Sequence, residues 1–212
     1  YGTGFRAPSL YEIAYNNGSF AYPPASETKL KEEQSKGYDL GLSWLAESGL
    51  YLEAVYFDQT IEDEIYFDLA DYSGYLQRSG NTDSSGVELV VDWPLLATLS
   101  ISANYTFNDT ATSTGDSRPY RPERLANLGL NWRTLAGKLL LGAAWRLSED
   151  ARDIDGAQLD DYQLLELNAS YQLLPGLQLY GRLENALDED YQEVPTYNTS
   201  GAAGYAGVRY SF

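Results

Sequence analysis

The sequence has 212 residues, a formal net charge of −17, 19 tyrosines, and no cysteine, histidine or methionine. No stretch reaches the roughly 18 to 20 consecutive apolar residues of a membrane-spanning helix, which excludes a helical membrane protein. Without cysteine or histidine, thiolate and imidazole metal sites, cysteine nucleophiles and Ser-His triads are excluded, so we predict no enzyme and no catalytic residue. The acidic balance also disfavours nucleic acid as a partner.

Apolar and polar residues alternate along most of the chain, as is typical of strands with one apolar face. The first residues, from Tyr1, have the pattern of the end of a strand. About nine further strands follow, each near the length of a tilted membrane strand. We predict them at Tyr38–Trp44, Leu50–Phe57, Val87–Trp93, Ser100–Asn108, Asn127–Arg133, Leu139–Leu147, Leu165–Leu173, Leu177–Leu183 and Gly204–Phe212.

The links between these strands alternate in length. Alternation within the strands alone would also fit a soluble sandwich with one wet face. Alternating short and long links are instead typical of outer-membrane barrels, which have tight periplasmic turns and extended outer loops. The short links are 45–49, 94–98, 134–138 and 174–176, and the long links are 62–80, 109–123, 148–161 and 186–202.

Aromatic residues recur on the apolar face close to the short links. Trp44, Trp93, Trp132 and Tyr171 each stand within a few residues of one. Such residues line up at one height in a membrane girdle, whereas core aromatics of a soluble domain have no reason to do so. We therefore predict an all-β fold, an antiparallel transmembrane β-barrel.

Because such barrels have an even number of strands, an odd count predicts that residues 1–212 are part of a larger barrel.

Three segments resemble the TonB-dependent receptor family of the Gram-negative outer membrane. Gly4–Leu10 and Leu30–Ser35 are similar to two segments that bracket one outer loop, and Leu183–Tyr191 is similar to the family's ENLxDxxY box. Gly207–Phe212 resembles its last strand, in which Tyr210 and the terminal Phe212 would be the signal read by the barrel assembly machinery. The resemblance implies the C-terminal portion of a barrel of roughly 22 strands, with the plug domain and the N-terminal strands outside this chain.

Within that family, the last loop resembles the vitamin B12 (cobalamin) receptors. Asp190–Val194 and Tyr197–Gly201 carry the likeness, although Ser200 and Ala202 stand where those receptors have Pro and Arg. The resemblance implies uptake of cobalamin or, as the alternative, of a ferric siderophore, powered by TonB through an N-terminal segment. Its other implied partners are outer-membrane lipid and lipopolysaccharide. A passive porin is a weaker alternative, since porins have no reason to carry the two opening segments.

Loop aromatics and amides are the predicted ligand contacts. Flat rings cover a large corrin or chelate at low entropic cost. For any single residue, an ordinary role in loop packing is the competing interpretation. The candidates are Tyr11, Tyr15, Asn16, Asn17, Phe20 and Tyr22 in the first loop and Tyr197 and Asn198 in the last.

Clustered acids in the long links suggest two further sites. Asp153 and Asp155 could hold calcium, since hard cations prefer carboxylate oxygens, but Leu164 stands where an EF-hand needs its bidentate Glu. We therefore assign no metal here and keep calcium in the outer loops as a possibility. Asp160 and Asp161 have the spacing of an acid pair, which an outer-membrane hydrolase would use. Acidic loops produce such pairs without catalysis, so the transporter is favoured.

Overall fold

The computed structural model describes residues 1–212 and is dominated by antiparallel strands. Two short helical elements occur, α1 at Leu10–Asn16 and a 3-10 turn at Ala25–Glu27. None of the helices is long and apolar enough to span a bilayer. The strands are β1 Gly2–Arg6, β2 Glu33–Leu45, β3 Tyr51–Glu62, β4 Ile65–Phe67, β5 Tyr75–Gln77, β6 Asn81–Leu96, β7 Leu99–Ala111, β8 Arg124–Thr134, β9 Leu139–Glu149, β10 Tyr162–Leu174, β11 Leu177–Glu184 and β12 Ala203–Tyr210.

Ten strands form one sheet in the order β1-β2-β3-β6-β7-β8-β9-β10-β11-β12, and β4 and β5 form a separate hairpin. Except for that hairpin, each strand lies beside its neighbour in sequence. The chain divides into two compact units. The first comprises Tyr1–Leu40, Tyr56–Gly86 and Asp109–Arg118, and the second comprises Gly41–Val55, Val87–Asn108 and Pro119–Phe212.

All nine predicted strands are confirmed, and the residues after Tyr1 form a tenth, β1. The sheet therefore has an even number of strands, and the odd count from which a larger barrel was predicted is wrong. The links also alternate as predicted, from the two residues between β6 and β7 to the segments 112–123, 150–161 and 185–202. Three features were not predicted, namely helix α1, the 3-10 turn and the β4–β5 hairpin. Helix α1 has a recognisable start signal, Ser9 followed three residues later by Glu12. The hairpin of β4 and β5 has strands of only three residues, too short for alternation to identify.

The register of the second unit separates an apolar face from a polar one. Leu130 pairs with Ala143, Ala143 with Leu167, and Leu167 with Leu183. The neighbouring positions on the same four strands form a second row, made of Asn131, Gly142, Asn168 and Arg182. Because consecutive side chains of a strand point to opposite sides, the two rows lie on opposite faces. The leucines are well exposed, so this face requires an apolar environment rather than water.

The polar face packs closely at the last two strands. Tyr180 on β11 pairs with Gly207 on β12. A Cβ atom at Gly207 would collide with the Tyr180 ring, so only glycine lets the ring lie flat there. Arg182 and Arg209 lie 4.4 Å and 5.7 Å from the ring centres of Tyr205 and Tyr180. This face therefore carries charge, which a dry core would not tolerate.

The predicted girdle residues lie near strand ends. Trp44 is one residue from the end of β2, and Trp132 is two residues from the end of β8. Trp93 and Tyr171 each lie three residues before the end of β6 and β10. The three tryptophans are exposed. Their role at a membrane interface stays a prediction.

Leu130→Arg in the full-length parent should destabilise the folded barrel in lipid by about 2 to 4 kcal/mol, because an arginine would face the bilayer midplane. Asn131→Arg is the matched control, since the same side chain would enter the polar face. Urea unfolding in phospholipid vesicles measures both. Equal effects of the two changes would contradict the facing assigned to β8.

Candidate ligand-binding loops

An ion cluster fixes the start of the first loop. Arg6 at the end of β1 donates to Glu12 at 2.9 Å and to Glu33 at 2.5 and 2.9 Å. Glu12 closes a capping box with Ser9, whose backbone N–H donates to its carboxylate at 2.6 Å. Burial by itself raises the pKa of Glu12, but the hydrogen bonds from Ser9 and Arg6 outweigh it and leave the pKa below its usual value. Glu12 therefore stays ionised at neutral pH and anchors α1.

The β4–β5 hairpin packs against this first loop. The backbone N–H of Ile65 donates to Glu33 at 2.6 Å, and that of Lys31 donates to the Gln77 side chain at 2.9 Å. The loop between β4 and β5 is closed by Asp68, which accepts from the Ser73 hydroxyl at 2.6 Å and from two backbone N–H groups. These bonds, first that of Ser73, hold the pKa of Asp68 low despite its burial. The hairpin is thus ordered by polar contacts, of which the bond between Ser73 and Asp68 is buried.

Six rings form an aromatic cluster between the first loop and the hairpin. Tyr15 is central, with ring centroids 6.1 Å from Tyr11, 6.3 Å from Phe20, and 5.7 Å from both Phe67 and Tyr75. Edge-to-face geometry predominates, as aromatic pairs prefer. Its outer rings remain well exposed. The aromatic cluster comprises Tyr11, Tyr15, Phe20, Phe67, Tyr72 and Tyr75.

Half of this cluster was missed from the sequence. Phe67, Tyr72 and Tyr75 belong to the long link 62–80, from which no ligand contact was predicted. The density of rings between Tyr66 and Tyr75 was the available signal. The predicted residues Tyr11, Tyr15 and Phe20 are brought together, with Tyr11 65% and Phe20 77% exposed.

The remaining first-loop candidates divide by their environment. Asn16 is buried, donates to the Tyr75 carbonyl at 2.7 Å and accepts from the Tyr75 N–H at 2.9 Å. Its amide therefore braces the hairpin, and its role as a ligand contact stays a prediction. Tyr22 donates its hydroxyl to the Asp71 carbonyl, although its ring is partly exposed. Asn17 caps α1 through its backbone and leaves its side chain exposed.

The last loop is braced by the residues of the ENLxDxxY-like box. Asn185 is buried, donates to the carbonyls of Glu189 and Ser200, and accepts from the Glu189 N–H. Asp188 accepts from the Ala202 N–H at 2.9 Å. The ring of Tyr191 stacks 4.6 Å from that of buried Tyr162. The box therefore shapes the loop.

This bracing leaves the tip of the last loop free for contact. Tyr197 is 71% exposed, and Asn198 is also exposed. Both are predicted ligand contacts, and their surroundings are compatible with that role.

The candidate calcium residues take part in a turn. Asp153 accepts from the Tyr120 hydroxyl and from the Ile154 N–H, and Asp155 accepts from the Ala157 N–H. Asp161, of the acid pair, accepts from the Asp150 N–H at 2.8 Å. These carboxylates have local structural partners, and calcium binding stays a prediction.

Backbone pairing holds the chain end against β11 as far as Ser211. Tyr210 pairs with Leu177 at the end of β12, and the Ser211 N–H donates to the Gly176 carbonyl at 2.8 Å. Phe212 is fully exposed, with its ring 6.3 Å from that of Tyr210. An exposed terminal ring suits the predicted assembly signal, which stays a prediction.

The sheet, its apolar face and its long outer loops define an outer-membrane β-barrel protein. The family model described as TonB dependent receptor-like, beta-barrel matches residues 1–186. The chain belongs to the TonB-dependent receptor family, whose members are outer-membrane proteins of Gram-negative bacteria.

The curated relatives of this chain include vitamin B12 transporters at low identity. The chain is 25% identical over 222 residues to the vitamin B12 transporter BtuB of Photobacterium profundum, covering 100% of this chain and 34% of the relative. It is 26% identical over 212 residues to BtuB of Vibrio vulnificus, covering 97% and 32%. The chain thus spans about a third of the length of these relatives.

Solved structures with the same fold belong to proteins that are named for a wider range of cargoes. The copper transporter OprC aligns with a TM-score of 0.75 at 19% identity, over 99% of this chain and 36% of that one. The ferripyoverdine receptor of Pseudomonas aeruginosa aligns with a TM-score of 0.75 at 17% identity, over 99% and 30%. These relatives are transporters and receptors, and the likeness establishes the fold.

Asn185→Ala should loosen the last loop, because it removes a buried amide whose backbone partners are then unpaired, at a cost of about 1 to 3 kcal/mol. Faster amide hydrogen exchange is expected at residues 186–202, with little change in β11 and β12. Asn198→Ala, at the exposed tip, is the control and should leave exchange unchanged. Unaltered exchange in the Asn185 variant would contradict the bracing role.

Proposed function

We propose that this chain is part of the barrel of an active outer-membrane receptor that takes up a large, scarce nutrient, with cobalamin as the first candidate. The observation that carries the proposal is the preorganised aromatic cluster of the outer loops, together with the family. Rings held in place before binding lose little entropy when a ligand covers them. The second candidate cargo is a ferric siderophore.

Several features favour cobalamin over the siderophore. The curated relatives are named as vitamin B12 transporters, and the similarity covers the whole chain. The sequence of the last loop resembles the cobalamin receptors at Tyr197 and Asn198. The siderophore candidate is supported by the shared fold with the ferripyoverdine receptor, at lower identity.

Transport itself would use parts of the protein outside this chain. A plug domain and further strands are expected upstream, since the relatives are about three times longer. TonB would deliver energy from the inner-membrane proton gradient, rearrange the plug and admit the ligand to the periplasm. No bond of the cargo is made or broken, so the protein acts as a transporter rather than an enzyme. A passive porin has no use for a plug or for TonB.

The full-length parent displayed on cells without their own cobalamin receptor should bind cyanocobalamin, and excess ferric siderophore should not compete. Tyr11→Ala should weaken binding roughly tenfold, since it removes one exposed ring worth about 1 kcal/mol or more. Ile13→Ala is the control, because Ile13 is exposed on the same helix and has no aromatic ring. Binding of radiolabelled cyanocobalamin is measured for the parent and for the two variants.

Absence of cyanocobalamin binding to the parent, with tight binding of the siderophore, would reject the first candidate and support the second. Equal loss in the Tyr11 and Ile13 variants would contradict the role of the aromatic cluster.

A further inference from the structure

A second cluster lies on the other face of the β4–β5 hairpin. Tyr66 precedes Phe67 on β4, so its side chain points away from the aromatic cluster. Arg78, just after β5, lies with its guanidinium carbon 4.4 Å from the Tyr66 ring centre. Its Nε is 3.4 Å from Glu64, and Arg118 approaches the other oxygen of Glu64 at 2.5 Å.

This cluster differs in charge from the other arginine clusters of the outer loops. Arg6 is shared by Glu12 and Glu33, and Arg124 is shared by Glu149 and Asp150, so each of those has one more acid than base. The cluster at Glu64 has two guanidiniums for one carboxylate. This cluster therefore has a net positive charge, whereas the chain as a whole has a net charge of −17.

The hydrogen bonding of this cluster is also incomplete. Arg78 Nε is buried and makes no hydrogen bond, although it lies near Glu64. Glu64 accepts hydrogen bonds from Arg118 and from the hydroxyl of buried Thr82 at 2.8 Å instead. A buried donor without an acceptor is unfavourable. An anion bound to the remaining N–H groups of this partly exposed guanidinium would compensate for it.

The two guanidiniums have the right chemistry for such an acceptor. Each has five N–H donors in a planar fork, and one carboxylate engages a minority of the ten. Forked donors match the oxygens of phosphate in particular. The side chains of Arg78 and Arg118 are 25% and 24% exposed, so they are partly shielded yet reachable.

We propose that Arg78 and Arg118 form an anion subsite of the outer loops that binds a phosphate or phosphodiester group, with Glu64 and Tyr66 positioning the two guanidiniums. A single surplus charge suits a group with one formal negative charge better than a polyanionic chelate. The group could belong to an incoming nutrient, such as the phosphodiester of cobalamin, or to a lipopolysaccharide phosphate. The nutrient assignment rests on the proposed function, whereas phosphate binding does not.

The test is thermal unfolding of the purified full-length parent in detergent, with sodium phosphate compared with sodium chloride at equal ionic strength. Phosphate should raise the Tm saturably. Arg118→Gln should weaken that effect at least tenfold, and the remaining Arg78–Glu64 pair keeps the variant neutral there and folded. Arg124→Gln is the matched control, because it makes the same change in a cluster with surplus acid, and it should keep the wild-type response.

No phosphate-specific shift in the wild type, or an undiminished shift in Arg118→Gln, would overturn the subsite. Competitors then identify the source of the phosphate. Abolition of the shift by cyanocobalamin but not by cobinamide, which has no phosphodiester, supports the nutrient. Abolition by deep-rough lipopolysaccharide supports the lipid, and abolition by neither overturns the assignment to a phosphate-bearing partner. Phosphate binding without cobalamin binding would reject the cargo and keep the subsite.

Discussion

Pairing of every backbone polar group within a bilayer is the constraint on which this protein depends. Lipid offers no hydrogen bonds, so each strand must pair with neighbours on both sides. Extended strands then send alternate side chains to opposite faces. The row through Leu130, Ala143 and Leu167 is apolar for this reason, while Asn131 and Arg182 lie on the other face. One constraint thus accounts for both the exposed leucines of the apolar face and the charged side chains of the polar face.

The outer loops solve the opposite problem, because they are surrounded by water and contain little apolar core. Buried polar side chains provide their order instead. Asn16 ties α1 to β5, Asp68 closes the hairpin, and Asn185 closes the last loop. Each satisfies backbone groups that would otherwise be unpaired. Rings such as Tyr11 and Tyr197 can therefore remain exposed in fixed places, which is what tight binding of a large ligand requires.

The sequence was sufficient for the strands and their links, because a period of two and the turn residues are local signals. It did not reveal the hairpin of β4 and β5, whose order comes from distant partners such as Glu33 and Asn16. For the same reason the sequence did not show that Asn16 braces the hairpin. An amide in an aromatic-rich loop looks alike whether it faces a ligand or a backbone. Only three-dimensional contacts distinguish the two.

The most direct test is to measure whether each residue along β10 faces lipid or water in the full-length parent, reconstituted in a bilayer. Residues 1–212 contain no cysteine, so single cysteines introduced at positions 165–171 can be spin-labelled once any cysteine elsewhere in the parent is replaced. High accessibility to molecular oxygen, which partitions into lipid, is expected at the odd positions, and low accessibility is expected at the even ones. Uniform or inverted accessibility along the strand would contradict the assignment of the apolar face to the membrane.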